Sequence, residues 1–134
     1  MSAAKRPFFD TNVIVYLTSG EAAKAAKAED LLGSGGVVSV QVLNEFVAVA
    51  RRKIALTWPE IEEVLDALKA NLEVVPLTLG IHERAVRLAS AHRLNIYDAG
   101  VVSAAIDSGC NVLLSEDFQH GRTFETLRVA NPFR

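Results

Sequence analysis

Short apolar runs alternate along the chain with longer amphipathic stretches, and the two patterns predict different elements. A run that is apolar throughout predicts a strand buried on both faces, because a half-exposed strand would alternate apolar and polar residues. Five runs that are wholly or largely apolar are present, at residues 7–9, 37–40, 74–77, 111–114 and 127–130. We expect these five runs to form the strands of one sheet.

The stretches between the runs carry helical signals. Apolar residues recur there at spacings of three and four, which places them on one face of a helix. The clearest start is Thr57, three residues before Glu60, which is the spacing of a capping box. Helices are predicted at residues 13–19, 21–32, 43–54, 57–68, 79–94 and 98–108. Strands that alternate with helices predict an α/β protein with three layers (α/β/α) and a central parallel sheet of about five strands.

Composition narrows the class of protein. A chain of 134 residues, half of them apolar and 22% charged, is typical of one folded domain spanning residues 1–134. No apolar run approaches the ~18 residues of a membrane span, and no secretion signal is recognised at the start. The single cysteine, Cys110, excludes an internal disulfide. A cytoplasmic protein without a membrane partner is expected.

The net charge of −2 does not by itself favour nucleic-acid binding. Proteins that hold nucleic acid by electrostatics alone are usually basic. Any such role would therefore depend on a local basic surface or on a bound cation.

Four acidic residues lie in apolar surroundings. Asp10 and Asp117 each follow an apolar strand, Glu45 lies in a helix with little other polar character, and Asp98 opens a helix of small residues. Ligands of parallel sheets bind beyond the carboxyl ends of the strands, so Asp10 and Asp117 should share that edge. Taken singly, Asp10 or Asp98 is as consistent with a helix cap, Glu45 with the flank of an apolar stripe, and Asp117 with the start of a loop.

Taken together, the four acids indicate a cation site. A charge in apolar surroundings is costly unless it is paired, and no lysine or arginine is adjacent to any of them. Carboxylate oxygens suit Mg²⁺ or Mn²⁺, and such an ion activates water and stabilises the displacement at a phosphodiester. The sequence therefore favours metal-dependent phosphodiester hydrolysis.

Four segments resemble, in order, the motifs of PIN-domain nucleases, and most closely the VapC-like toxins of type II toxin–antitoxin pairs. These segments are residues 8–16, 40–46, 95–99 and 113–121. The resemblance implies an endoribonuclease that holds Mg²⁺ or Mn²⁺ and leaves a 5′-phosphate and a 3′-hydroxyl. It also implies an RNA substrate, a homodimer, and a cognate VapB-like antitoxin that inserts into the active-site groove.

The resemblance also assigns roles to residues. Asp10, Asp98 and Asp117 would hold or orient the metal, and Glu45 would complete the site or orient the attacking water. Thr11, Asn12 and Ser115 match the supporting polar positions of the family. Glu116 competes with Asp117, since successive residues of an extended segment point to opposite sides and only one should face the metal.

Three consecutive basic residues follow Glu45 by about two helical turns. Arg51, Arg52 and Lys53 are candidates for contact with RNA phosphates near the groove. An equally good interpretation is a solvated helix end whose cations complement the helix dipole.

Two other functions are consistent with parts of the pattern. A haloacid-dehalogenase-like phosphatase also places an aspartate after its first strand, but it needs a second acid two residues later, where this chain has Asn12. It also needs a lysine near the later acids, and none precedes Asp117 closely. The second alternative is a PIN-like domain that binds RNA or protein without catalysis. The presence of all four acids argues against it.

Overall fold

The structure, a computed structural model, describes residues 6–134. Its strands are β1 (Pro7–Phe9), β2 (Val37–Ser39), β3 (Glu73–Val75), β4 (Val112–Leu114), β5 (Thr123–Phe124) and β6 (Leu127–Ala130). Its α-helices are α1 (Thr11–Leu17), α2 (Ala22–Gly33), α3 (Val40–Val49), α4 (Trp58–Asn71), α5 (Leu79–His92) and α6 (Ile96–Asp107). A π-helical turn, Ala50–Ile54, continues α3.

The strands form one sheet in the order β3-β2-β1-β4-β6-β5. All neighbouring strands are parallel except β5 and β6, which are antiparallel. The chain runs from β1 through β2 to β3 in one direction and then returns past β1 to β4. Because parallel crossovers are right-handed, this reversal places helices on both faces of the sheet. The predicted α/β class with a central parallel sheet is confirmed.

Over residues 6–134 the sheet has six strands, one more than the sequence predicted. The additional strand, β5, is only two residues long and pairs with β6 through a tight turn at Glu125, whose φ is 55°. A two-residue strand is too short to show a hydrophobic period, and it is held by its pairing with β6 rather than by its own pattern.

Polar side chains set several helix starts. In α4, the Thr57 hydroxyl accepts from the amide of Glu60 and the Glu60 carboxylate accepts from the amide of Thr57, which confirms the capping box. Ser39 caps α3, so this helix begins at Val40, where the sequence predicted the end of a strand. Asn95 caps α6. Helix α6 therefore starts before Asp98 rather than at it.

The core lies against the sheet. The largest fully buried side chains include the aromatic pair of β1, Phe8 and Phe9, together with Phe46 of α3 and Leu113 of β4. Burial of this apolar surface is the main stabilising term for the fold. In the part of the chain that the structure describes, no helix is long and apolar enough to cross a membrane.

Candidate active site

All four predicted acids line one cavity of about 470 Å³ at the carboxyl ends of the parallel strands. It lies beside the place where the chain reverses direction between β1 and β4, which is where α/β sheets bind ligands. The cavity also receives the predicted supporting residues Thr11 and Asn12. Its full lining is Asp10, Thr11, Asn12, Val15, Tyr16, Glu45, Ala48, Val49, Arg52, Lys53, Asp98, Glu116 and Asp117.

Asp10 is the most deeply buried of the four acids, with 4% of its surface exposed. Its Oδ1 accepts from the amide of Thr11 at 2.7 Å and caps α1, and its Oδ2 accepts from the Ser115 hydroxyl at 2.6 Å. Burial raises the pKa of Asp10 to about 7, even though both hydrogen bonds lower it. Asp10 is therefore both a helix cap and, within residues 6–134, a carboxylate without a cationic partner.

Ser115 does not line the cavity but connects several residues that do. It is fully buried, and its oxygen accepts from the Asn12 amide at 3.3 Å and from the backbone amide of Asp117 at 3.0 Å while its hydroxyl donates to Asp10. Asn12 in turn accepts from the amide of Glu116 at 3.4 Å. The supporting residues predicted from the sequence are thus brought together around Asp10 and the start of the loop that carries Asp117.

Glu45 and Asp98 enter the cavity from two helices. Glu45 on α3 is half-buried, and its carboxylate accepts from the Thr11 hydroxyl at 3.0 Å. Asp98 lies in the first turn of α6, where its Oδ2 accepts from the Asn95 side chain at 3.0 Å. Burial raises the pKa of both carboxyls, and the nearby Asp117 raises each further.

Glu116 and Asp117 both line the cavity, so the expectation that only one of them faces the metal stays a prediction. They differ in their partners. The Tyr16 hydroxyl donates to Glu116 at 2.7 Å and accepts from the ammonium of Lys24 at 3.0 Å. Asp117 is exposed, and its backbone amide is anchored to Ser115. Tyr16 thus engages Glu116, whereas no side-chain bond of this kind engages the Asp117 carboxylate among the residues described.

Sequence reasoning missed three residues that position the acids. Tyr16 and Lys24 hold Glu116, and Gln41 donates to the carbonyl of Tyr97 at 2.9 Å, next to Asp98. The Gln41 amide also lowers the pKa of the Glu45 carboxyl. The only sequence signal for Gln41 was its spacing of four residues from Glu45, which places both on one helix face.

The three basic residues predicted to contact RNA take different positions in the structure. Arg52 and Lys53 line the cavity, whereas Arg51 does not. The Arg51 guanidinium lies 4.8 Å from the centre of the Trp58 ring and donates to the Leu56 carbonyl at 2.9 Å.

A second, larger cavity of about 530 Å³ lies between α2 and α4 and contains none of the predicted site residues.

The chemistry of the cavity fits a hard divalent cation. Its acidic groups offer carboxylate oxygens, which Mg²⁺ and Mn²⁺ prefer, and the two salt bridges found within residues 6–134 involve none of them. The positions of these acidic side chains do not yet form a metal site. Over the same residues, no three Asp, Glu, His or Cys side chains are arranged to hold a metal ion together. Hydrogen bonds to Ser115, Thr11 and Asn95 engage several of the oxygens instead.

The fold and the cavity define an α/β protein with an acidic site at the carboxyl edge of a parallel sheet. The model of the PIN domain family matches residues 8–124, and the chain belongs to that family. This membership removes the support for a haloacid-dehalogenase-like phosphatase. No curated protein matches the chain.

Solved structures share the fold at low sequence identity. A toxin–antitoxin complex from Klebsiella pneumoniae is 20% identical with a TM-score of 0.72, covering 94% of this chain and 97% of that one. VapC20 of Mycobacterium tuberculosis, described as a toxin that cleaves the sarcin–ricin loop, is 19% identical with a TM-score of 0.69 over 83% and 91% of the two chains. VapBC2 of Rickettsia felis, bound to a fragment of promoter DNA, is 18% identical with a TM-score of 0.68 over 93% and 97%.

Proposed function

We propose that the chain is a metal-dependent endoribonuclease and the toxin of a type II toxin–antitoxin pair. The observation that carries the proposal is the cavity in which buried Asp10 faces Glu45, Asp98 and Asp117 with no lysine or arginine paired to them among residues 6–134. Membership of the PIN domain family and the fold shared with VapC toxins support it. A cognate VapB-like antitoxin and a homodimer belong to the same proposal.

Asp10, Asp98 and Asp117 would hold Mg²⁺ or Mn²⁺. When bound, the ion supplies the charge that lowers the pKa of a water and stabilises the charge of the phosphodiester during displacement. Ser115 and the Thr11 amide keep Asp10 in place. The Thr11 hydroxyl orients Glu45, whose half-buried carboxylate is positioned to accept the proton of the attacking water.

Cleavage of purified cellular RNA tests the proposal. We expect cleavage with Mg²⁺ or Mn²⁺, none with a chelator, and products that carry a 5′-phosphate and a 3′-hydroxyl. Asp98→Asn should abolish cleavage, because it removes a proposed ligand. Glu62→Gln removes one acid from the exposed face of α4 and is the matched control. Metal-independent cleavage, or full activity in Asp98→Asn, would refute the metal mechanism.

One observation favours the second candidate, a PIN-like domain that binds RNA or protein without catalysis. No group of acids in the described part of the chain is already arranged around a metal position. Titration of the wild-type chain with Mn²⁺ separates the two functions. Binding of Mn²⁺ that is lost in Asp98→Asn supports the enzyme, whereas absence of Mn²⁺ binding together with retained RNA binding supports the non-catalytic domain.

A further inference from the structure

One face of α3 and its π-helical extension lies along the cavity. Glu45, Ala48, Val49, Arg52 and Lys53 all line it. Their spacings of three, four, seven and eight residues from Glu45 define a single helix stripe. This stripe carries a carboxylate at one end, two residues without charge in the middle, and two cations at the other end.

The π-helical turn contains three consecutive basic residues that differ in position. Arg51 is held outside the cavity by its stack on Trp58 and by its hydrogen bond to the carbonyl of Leu56. The turn ends at Ala55, whose φ of 60° is left-handed and uncommon for a residue other than glycine. π-Helical turns are frequent at functional sites, and this one leaves Arg52 and Lys53 on the cavity stripe.

Arg52 and Lys53 are exposed and make no salt bridge with the acids of the cavity. The salt bridges found within residues 6–134 join Arg6 to Glu73 and Lys69 to Asp66. Cations that served only to neutralise the acidic cluster would be expected within ion-pair distance of one of its carboxylates. Arg52 instead lies seven residues beyond Glu45, about 10 Å along a helix. The two cations are therefore available to an anionic ligand.

We propose that Arg52 and Lys53 bind a backbone phosphate of single-stranded RNA that lies along α3, and that this phosphate is not the one being cleaved. The inference rests on the proposed ribonuclease function and deepens it. Ala48 and Val49 lie between the acids and the two cations and carry no charge. Their surface leaves room for the ribose that joins the cleaved phosphate to the phosphate bound by Arg52 and Lys53. Contacts of this kind fix the register of the strand and carry no sequence information.

Salt-dependent binding tests this subsite without cleavage. The probe is a fluorescein-labelled oligouridine, and its anisotropy is followed over a series of NaCl concentrations in buffer free of divalent ions. All variants carry Asp10→Asn so that hydrolysis plays no part. Arg51→Gln is the matched control, because it removes the same charge from the neighbouring residue.

We expect the double variant Arg52→Gln/Lys53→Gln to lower the slope of log K against log salt by about 0.7, the value for one phosphate contact on a single strand, and each single variant to lower it by part of that amount. The double variant should bind roughly tenfold more weakly at low salt. Arg51→Gln should keep the parental slope. An equal loss of slope in all three single variants would overturn the proposal, as would no loss in any of them or the absence of salt-dependent binding in the parent.

The experiments distinguish failure of the phosphate-subsite proposal from failure of the proposed ribonuclease function. If the wild-type chain cleaves RNA but Arg52→Gln and Lys53→Gln keep the parental slope, the nuclease stands and the subsite is wrong. If the slopes change as expected but the wild-type chain never cleaves RNA, the subsite stands and catalysis is wrong.

Discussion

The hydroxyl of Ser115 donates a 2.6 Å hydrogen bond to Oδ2 of Asp10, although 105 residues separate the two along the chain. Parallel pairing of β1 with β4 brings them together, because each follows the carboxyl end of its strand. Both side chains are buried. The bond therefore holds the least accessible carboxylate of the cavity in one orientation.

Ser115→Ala should weaken Mn²⁺ binding roughly ten- to a hundredfold, as expected when a residue that orients a metal ligand is removed. It should also destabilise the fold by ~1–3 kcal/mol, since Asp10 loses a buried hydrogen bond. Ser103→Ala is the control, because Ser103 is equally buried and donates to the Ile81 carbonyl away from the cavity. Calorimetric titration and thermal unfolding measure both effects. Equal Mn²⁺ affinity in the two variants would contradict the assigned role of Ser115.

Asp10→Asn should stabilise the metal-free chain at neutral and higher pH. Burial raises the pKa of Asp10 from 3.8 to about 7, so the folded state favours the protonated carboxyl. Stability from this group is fully present below pH ~4 and is lost as the pH rises through 7. At pH 8 the substitution should raise the free energy of unfolding by on the order of 2 kcal/mol. This is about half of what three pKa units represent, because the amide N–H groups of the asparagine need buried partners.

The measurement is urea unfolding of both proteins in chelator between pH 4 and pH 8. The gap, taken as the unfolding free energy of Asp10→Asn minus that of the wild type, should rise by roughly 4 kcal/mol across this range, from negative near pH 4 to positive at pH 8. A constant gap would show that Asp10 titrates at an ordinary pKa. Added Mn²⁺ should stabilise the wild-type chain and leave Asp10→Asn unchanged.

Asp117→Asn should lower kcat roughly a hundredfold or more, whereas Glu116→Gln should lower it by less than about threefold. Glu116 already accepts a hydrogen bond from Tyr16, and a glutamine oxygen can still accept it. Asp117 is exposed at the cavity with its backbone anchored to Ser115. Single-turnover cleavage of one RNA by the two variants measures the difference. The reverse order of effects would identify Glu116 as the functional acid.

Gly100→Ala should impair cleavage about tenfold while changing stability by less than about 1 kcal/mol. A Cβ at residue 100 would overlap the side-chain amide of Gln41, which supports Glu45 and bonds to the Tyr97 carbonyl. Alanine is favoured over glycine within a helix by roughly 1 kcal/mol, which offsets the lost hydrogen bond.

Gly20→Ala is the control for this substitution, because nothing lies within 4 Å of a Cβ placed there. Cleavage assays and urea unfolding are run on both variants. If Gly100→Ala cleaves RNA as fast as Gly20→Ala, Gln41 has no role in positioning Glu45.

The sequence by itself determined the α/β class, five of the six strands and the helices between them. It could do so because buried parallel strands are apolar throughout and because caps such as Thr57 mark helix starts locally. It also selected Asp10, Glu45, Asp98 and Asp117, because a carboxylate in an apolar setting stands out in a linear pattern. Their joint position on one cavity follows from the parallel strand order.

Only the tertiary structure decided which neighbours orient these acids and which cations face them. Strand β5 exists through its pairing with β6, and Tyr16 reaches Glu116 across 100 residues. Arg51 stacks on Trp58, whereas Arg52 lines the cavity. Such contacts depend on distances between segments remote in sequence and on side-chain directions. A hydrophobic period or a local motif contains neither.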